Sequence, residues 1–373
     1  MDYYTLVLKL GRIYGRIPQY IHPAGGWAFP PLFLVLEPTY HCNLECPYCY
    51  VDRAADRHNG SELTAAEIEH IIGQTPLWTL IMLSGGEVLL RRDSDQIIRQ
   101  IARKRRTQIF TNGTLLTAAT AQQWVDFGVA SVAISVDGPE HIHDAMRGSG
   151  TFSRAVSAIK MIVATKEQKG KAFPLINLKA TVTAENVSYL TEIIRLAEAM
   201  GVDYCTFQML NRTMRFGGSK LQDSIEYNLP PPDIPDFPLS ALEDELQAIR
   251  ATPHKRVRVR ILPDLPVPAI LDHYANRLDP RKFKCISPWT VLYVSPYGDV
   301  YPCLDYWVGN VRNQSLQKLW NCSRYRLFRR SLMRRRLFPD CSGCCDLFLP
   351  GGFLRKQPAE GEDNKSKCEV LHF

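Results

Sequence analysis

The sequence predicts an α/β chain built on a parallel sheet, followed by a cysteine-rich C-terminal segment. Two observations carry this. Strand-length apolar runs alternate with helical patterns from about residue 32 to 210, and the eleven cysteines gather mainly at 42–49 and 285–345. Repeated strand–helix alternation implies right-handed crossovers between parallel strands, in a sheet that is open or curled into a barrel. Chemistry in such folds collects beyond the carboxyl ends of the strands.

Residues 5–21, "TLVLKLGRIYGRIPQYI", place Leu6, Leu10, Ile13 and Ile17 at 4-3-4 spacing, with Lys9, Arg12 and Arg16 on another face. This reads as an amphipathic helix ended by Pro18. It either packs its apolar stripe on its own domain or rests on a membrane surface. The run "LFLVLEP" (32–38) is the first strand, and "TAAEIEHIIGQ" (64–74) is a helix opened by a Thr64–Glu67 capping box. Strands then fall at 79–86, 107–112, 130–136, 175–183 and 204–210. The helices between them fall at 94–106, 117–128, 151–168 and 186–201. After 210 the rhythm fails. "NLPPPDIPDFP" (228–238) reads as a linker, and "RYRLFRRSLMRRR" (324–336) as a helix with a solvated arginine face.

The bulk numbers exclude several classes. No run approaches the length of a membrane span, and residues 1–30 show no signal peptide, so a cytoplasmic location is expected. An odd number of cysteines in such a chain fits thiol ligands better than disulfides. A net charge of +7 suits an anionic ligand or surface, and nucleic acid is not expected as a partner.

"HCNLECPYCY" (41–50) places Cys42, Cys46 and Cys49 directly after the first strand. Three thiolates on one loop select zinc, copper(I) or an iron–sulfur cluster. Structural zinc wants four protein ligands, and His41 is awkwardly placed as the fourth because it neighbours Cys42. Three cysteines suit three irons of a [4Fe–4S] cube, with the fourth iron open. The second group, Cys285, Cys303, Cys341 and Cys344, forms two pairs and a complete tetrahedral set. It could take zinc or a cluster. Cys205 and Cys322 read as packing residues, and Cys345 and Cys368 as spare thiols.

The pattern Cys-x3-Cys-x-aromatic-Cys after the first strand resembles the radical S-adenosylmethionine (SAM) enzymes. "SGGE" (84–87), "FTNGTLL" (110–116) and "ISVDGPEHIHDAMRG" (134–148) reinforce the resemblance in the right order, over roughly residues 32–212. Val88 stands where that family usually has proline. The resemblance implies a partial (β/α)6 TIM-like barrel. It implies a SAM-binding [4Fe–4S] cluster on Cys42, Cys46 and Cys49. Gly85, Gly86 and Glu87 would hold the methionine amino group, Ser135 and Asp137 would approach the ribose, Arg147 would pair the methionine carboxylate, and Tyr48 would lie near the adenine. It further implies reductive cleavage of SAM to a 5′-deoxyadenosyl radical that abstracts a substrate hydrogen, with a reductant such as flavodoxin or ferredoxin.

Cys285-x12-Gly298-x4-Cys303 followed by Cys341-x2-Cys344 resembles the SPASM/Twitch extensions of that family, which carry auxiliary [4Fe–4S] clusters. Two further SPASM ligand positions fall on Pro350 and Leu354, so the set resembles the one-cluster Twitch arrangement. Sulfatase-maturing members carry Asp directly after the cysteine of the Gly-x4-Cys pattern, Cys303 in this chain. Here Leu304 holds that place, and Asp305 is left as a candidate base. The organisation expected is an N-terminal helix and lead-in (1–31), a radical SAM core (32–227), connecting elements (228–280), an auxiliary-cluster domain (281–355) and a tail (356–373). The substrate expected is a small metabolite or natural-product intermediate undergoing net oxidation or rearrangement. The alternatives are maturation of a ribosomal peptide without an in-cis leader-binding domain, and modification of a membrane lipid with peripheral membrane contact.

Overall fold

The computed structural model describes residues 11, 13–19, 25–51, 60–211, 236–254, 256–303, 306–338, 341, 343–344 and 346–347. Six strands form where the apolar runs place them: β1 (Phe33–Leu36), β2 (Leu80–Leu83), β3 (Thr107–Thr111), β4 (Ser131–Ser135), β5 (Leu175–Val182) and β6 (Tyr204–Met209). They pair in chain order and all in parallel. The helices take the outer face: α1 (13–19), α2 (Ala65–Gly73), α3 (Ser94–Lys104), α4 (Ala118–Asp126), α5 (Glu140–Arg147), α6 (Thr151–Lys169) and α7 (Leu190–Ala199). Thr64 and Glu67 cap α2 reciprocally, as their spacing predicts. α1 stays helical through Pro18 to residue 19. The strand–helix layers share one core, in which Leu34, Ile81, Ile109, Val132, Ile176 and Phe207 are fully buried.

The alternation resumes where the sequence pattern faded. α8 (Leu239–Ala251) leads into β7 (Arg258–Leu262), which pairs in parallel with β6. "RVRIL" hides this strand because its charged positions are Arg258 and Arg260, and Arg260 lies over the Tyr204 ring at 3.6 Å. α9 (Val267–Tyr274) and α10 (Ser287–Thr290) follow. Then β8 (Val291–Val294) pairs in parallel with β1 on the opposite edge. β9 (Asp299–Tyr301) and β10 (Gly309–Asn310) extend that edge antiparallel. The order is β10-β9-β8-β1-β2-β3-β4-β5-β6-β7, a mostly parallel sheet left open between β7 and β10. It is a partial barrel, and the C-terminal segment continues its sheet.

α11 (Leu316–Trp320) and α12 (Ser323–Arg335) close the chain. The arginine-rich α12 has the solvated face expected of it, at Arg326, Arg334 and Arg335, and a buried face as well. Tyr325, Phe328 and Leu332 recur at helical spacing and are buried, and Arg329 lies on that same face with no exposure. Its guanidinium donates to the carbonyls of Pro288 (2.6 Å) and Gly26 (3.2 Å) and to Asn321 Oδ1 (2.8 Å). Burial lowers its pKa to about 10. Among the described residues no helix is long and apolar enough to cross a membrane.

Candidate active site

The carboxyl ends of β1 to β5 bring the first cysteine group, the Gly-Gly-Glu turn, the Asn-Gly turn and Asp137 to one rim. The cysteine loop is fastened at both ends. Glu37, fully buried at the end of β1, accepts from Tyr40 Oη (3.1 Å) and Tyr50 Oη (3.2 Å). Tyr50 also meets Ser84 Oγ at 2.8 Å and accepts from the Gly85 amide at 3.0 Å. Burial raises the Glu37 pKa to about 8 against these hydrogen bonds, so the carboxyl tends to keep its proton.

Gly85 and Gly86 lie against this loop. A Cβ on Gly86 would stand 2.1 Å from the His41 carbonyl oxygen, and one on Gly85, at φ +97°, would stand 2.7 Å from that of Thr39. The Gly86 and Glu87 amides donate to those same carbonyls at 2.8 Å. The glycines therefore let the turn hydrogen-bond directly to the stretch that enters the cysteine loop. Glu87 is buried, and its carboxylate accepts from Thr111 Oγ1 (2.9 Å), the Asn112 amide (2.8 Å) and the Leu89 amide (3.2 Å). Burial pushes its pKa up, with these donors opposing. Asn112 donates to Asn43 Oδ1 at 3.0 Å and reaches Cys42 Sγ at 3.8 Å, which ties the β3 turn to the first thiol.

Asp137, just beyond β4, has no exposure. It accepts from Tyr48 Oη (2.6 Å), the Thr181 amide (2.8 Å) and Arg147 Nε. Burial alone would raise its pKa; the Arg147 charge and these donors hold it below the ordinary carboxylate value. Arg147, the last residue of α5, lies over the Tyr48 ring at 5.7 Å and reaches Cys46 Sγ at 3.9 Å. The Asp137 amide is oriented by His143 Nδ1 (3.1 Å) and its carbonyl accepts from Asn186 Nδ2 (2.8 Å). Burial lowers the His143 pKa to about 4, consistent with a neutral ring that accepts.

The structure thus brings Tyr48, Asp137, Arg147 and Cys46 into one cluster. Glu87 is linked through Asn112 to Cys42. Ser135 stands half-buried at the end of β4, in register with Lys179 of β5. Sequence reasoning did not assign Glu37, Tyr50, Asn112, His143 or Asn186. A lone carboxylate closing an apolar strand, as in "LFLVLEP", is the signal that would have found Glu37.

Among the described residues no three thiol, imidazole or carboxylate groups stand at mutual metal-ligating distance. The donor set nevertheless fits a thiolate-bound cluster. The Cys46 thiol is raised first by burial, and Cys49 and Cys42 each add to that, so the three sulfurs share one field, which the Arg147 charge opposes. In the second group, burial raises the Cys285 thiol and both Cys341 and Asp346 add to it. The Cys344 amide donates to the Cys341 carbonyl at 3.1 Å, and Cys344 is buried. Cys322 caps α12, accepting from the Tyr325 amide at 3.5 Å, and Cys205 is fully buried in β6, so both pack as expected. Asp305, Cys345 and Cys368 lie outside the described residues.

A cavity of about 240 Å³ lies inside the barrel. Gln108, Asn177, Lys179 and Arg260 line it from the strands, and Asp346 and Leu347 line it from the C-terminal cysteine segment. Asp346 accepts from Ser287 Oγ at 3.0 Å. The second cysteine group therefore borders the cavity wall, and Lys179 joins that wall to the strand that carries Ser135.

Comparison with known proteins agrees with this geometry. Residues 36–167 match the radical SAM superfamily model, and residues 285–345 match an iron–sulfur cluster-binding domain, SPASM. The chain is 28% identical to the AdoMet-dependent heme synthase of Oleidesulfovibrio alaskensis, over 78% of this chain and 74% of that one. It is 27% identical to the PqqA peptide cyclase of Bradyrhizobium diazoefficiens, over 73% and 66%. Its fold superposes on Streptococcus suis SuiB bound to S-adenosylmethionine with a TM-score of 0.62 at 17% identity, covering 89% of this chain and 74% of that one. The cofactors these domains take are [4Fe–4S] clusters and SAM. The chain is a radical SAM enzyme: it belongs to the radical SAM superfamily and carries an iron–sulfur cluster-binding SPASM domain toward its C-terminus.

Proposed function

We propose that this enzyme uses SAM to carry out a net oxidation or rearrangement of a small metabolite held inside the barrel. The cavity carries this reading, because it lies within the barrel strands and Ser287, Asp346 and Leu347, beside the second cysteine group, close one side of it. Cys42, Cys46 and Cys49 would hold the SAM-binding cluster, and Cys285, Cys303, Cys341 and Cys344 the auxiliary one, in the shorter Twitch-like arrangement. When bound, the first cluster and SAM supply one-electron reductive cleavage to methionine and a 5′-deoxyadenosyl radical, the hydrogen-abstracting species.

This chain's residues do the positioning. Gly85, Gly86 and Glu87 orient the methionine amino group. Arg147 turns from Asp137 toward the methionine carboxylate, leaving Asp137 and Ser135 for the ribose and Tyr48 for the adenine. Lys179 and Arg260 offer cations to an anionic substrate group, and the barrel wall excludes water. Asp346 lines the cavity two residues past Cys344, which supports an outward electron path from the substrate to the auxiliary cysteines. Asp305 follows Cys303 by two residues and is the candidate base. A flavodoxin or ferredoxin would supply the electron.

Maturation of a peptide is the second reading. A cavity of this size also admits one peptide side chain, and the similarity to PqqA peptide cyclases and to SuiB, solved with its precursor peptide SuiA, favours it. The test is 5′-deoxyadenosine release by reduced, cluster-loaded protein with fractionated cell extract. Stimulation confined to the low-molecular-weight fraction supports the metabolite, and stimulation confined to the peptide fraction replaces it with the second reading.

A further inference from the structure

The described part of the N-terminal helix turns the apolar residues of its stripe, Ile13 and Ile17, away from its own core, while Leu6 and Leu10 lie outside the described residues. Ile13 and Ile17, one turn apart, are 49% and 38% exposed. The face set against the barrel carries Gly11, Gly15 and Pro18, all buried. A Cβ on Gly15 would come within 2.8 Å of Thr290 Cγ2, and one on Gly11 within 3.4 Å of Leu32 Cδ1. The small residues therefore let α1 lie close, and the large apolar ones face outward.

The surface continues beyond the helix. Tyr14 Oη donates to the Pro30 carbonyl at 2.9 Å. Pro30 and Pro31 line an apolar groove of about 430 Å³ together with Trp27, Pro76 and Trp78. Leu77 and Trp78, which lead into β2, are 77% and 64% exposed. Farther along the same rim Phe173, 43% exposed, lies under the Arg106 guanidinium at 6.0 Å. Arg103, Lys104, Arg106 and Lys171 are exposed around it. Lys104 pairs with Glu69 at 2.6 Å. All these residues stand at the amino-terminal ends of the strands, opposite the cysteine loop.

We propose that this rim is an interfacial docking surface for an anionic lipid bilayer, with α1 lying in the plane of the headgroups. An exposed Ile-Leu-Trp-Phe surface bordered by arginine and lysine complements a negatively charged interface: the rings and aliphatic side chains enter the acyl boundary and the cations meet the headgroups. The chain's net charge of +7 agrees in sign. The proposal is independent of the reaction assigned above.

Vesicle flotation of the full chain tests it, with phosphatidylcholine vesicles with and without phosphatidylglycerol. The protein should float with the anionic vesicles. Affinity should fall at least about tenfold on neutral vesicles, and again with added salt. The Ile13→Ser/Ile17→Ser/Leu77→Ser/Trp78→Ser variant should lose binding. It should keep the wild-type circular dichroism melt, because those side chains are exposed. Arg103→Glu/Arg106→Glu should weaken flotation while leaving SAM cleavage unchanged. Absence of flotation at low salt overturns the proposal, as does full flotation of the quadruple variant. Self-association that the quadruple variant abolishes, without vesicle binding, overturns it in favour of a contact between protein copies.

Discussion

Cys42, Cys46 and Cys49 ride on a loop at the carboxyl rim, where Cys49 is exposed and the Arg147 guanidinium reaches Cys46. Cys285 and Cys341 are half-buried against the core and Cys344 is buried in it, and burial raises the Cys285 thiol. The first group has three thiols and, around it, polar groups that other residues hold in place: Asn112, Asp137, Tyr48, Arg147. The second has four thiols packed against the hydrophobic core, with Ser287 and Asp346 as polar neighbours. A site that must admit a polar cosubstrate needs an open position and ionic partners; a site that only passes electrons is better sealed, because exclusion of water protects it and lowers reorganisation. The difference teaches that thiol number and surroundings say the same thing about each site.

The largest effect that can break this comparison comes from single cysteine changes. Cys46→Ala should reduce 5′-deoxyadenosine formation by anaerobic, reduced protein to background. Cys341→Ala should leave SAM cleavage within a few-fold of wild type, about 1 kcal/mol or less in activation free energy, while substrate turnover stops. Equal loss in both variants would erase the distinction between the two groups.

Arg147 sharpens it next. Arg147→Met should raise the KM for SAM about 10- to 100-fold with a smaller change in kcat, as expected for loss of a charged hydrogen bond made in the bound state. Because the variant leaves Asp137 buried without its cation, it should also lower the melting temperature. Arg147→Met/Asp137→Asn should recover the melting temperature and not the KM. Recovery of both would make Arg147 a structural partner of Asp137 alone.

A smaller effect concerns the clasp of the cysteine loop. The Glu37 pKa is raised to about 8 when folded, so the folded state holds a proton that the unfolded chain releases near pH 4.3. That contribution is present at low pH and declines as pH rises from roughly 4.3 toward 8. Glu37→Gln should therefore flatten the fall in melting temperature across this interval, by a few degrees or about 2–4 °C. An unchanged slope would mean that Glu37 is ionised in the folded protein.

Much of the fold and of the site was legible before any coordinates. Each apolar run of strand length became a strand, because a parallel sheet covered on both faces demands uninterrupted apolar stretches. The cysteine spacings and the Gly-Gly-Glu turn declared the chemistry, because ligands on one short loop must be close in sequence. β7 was missed because its inward-facing Arg260 stacks on Tyr204, a contact made by a neighbouring strand. The solvated arginine face of α12 was legible, but the burial of Arg329 was not, because the carbonyls of Pro288 and Gly26 that help to hold it come from distant segments. Glu37 and Tyr50 were missed for the same reason: their partnership spans thirteen residues around a loop whose path the sequence leaves open. The outward stripe of α1 is the opposite case. Its periodicity was plain, but the direction it faces depends on Gly11 and Gly15 packing closely on Leu32 and Thr290.

The central claim is that one chain holds two clusters on two separate cysteine sets, the first open and the second closed. Iron quantitation with Mössbauer spectra, on anaerobically purified wild type and on the Cys42→Ala/Cys46→Ala/Cys49→Ala variant, tests it most directly. The account predicts about eight irons per chain in the wild type and about four in the variant, with only the wild-type spectrum perturbed by SAM. About four irons in the wild type and none in the variant, or zinc in place of the second cluster, would contradict it.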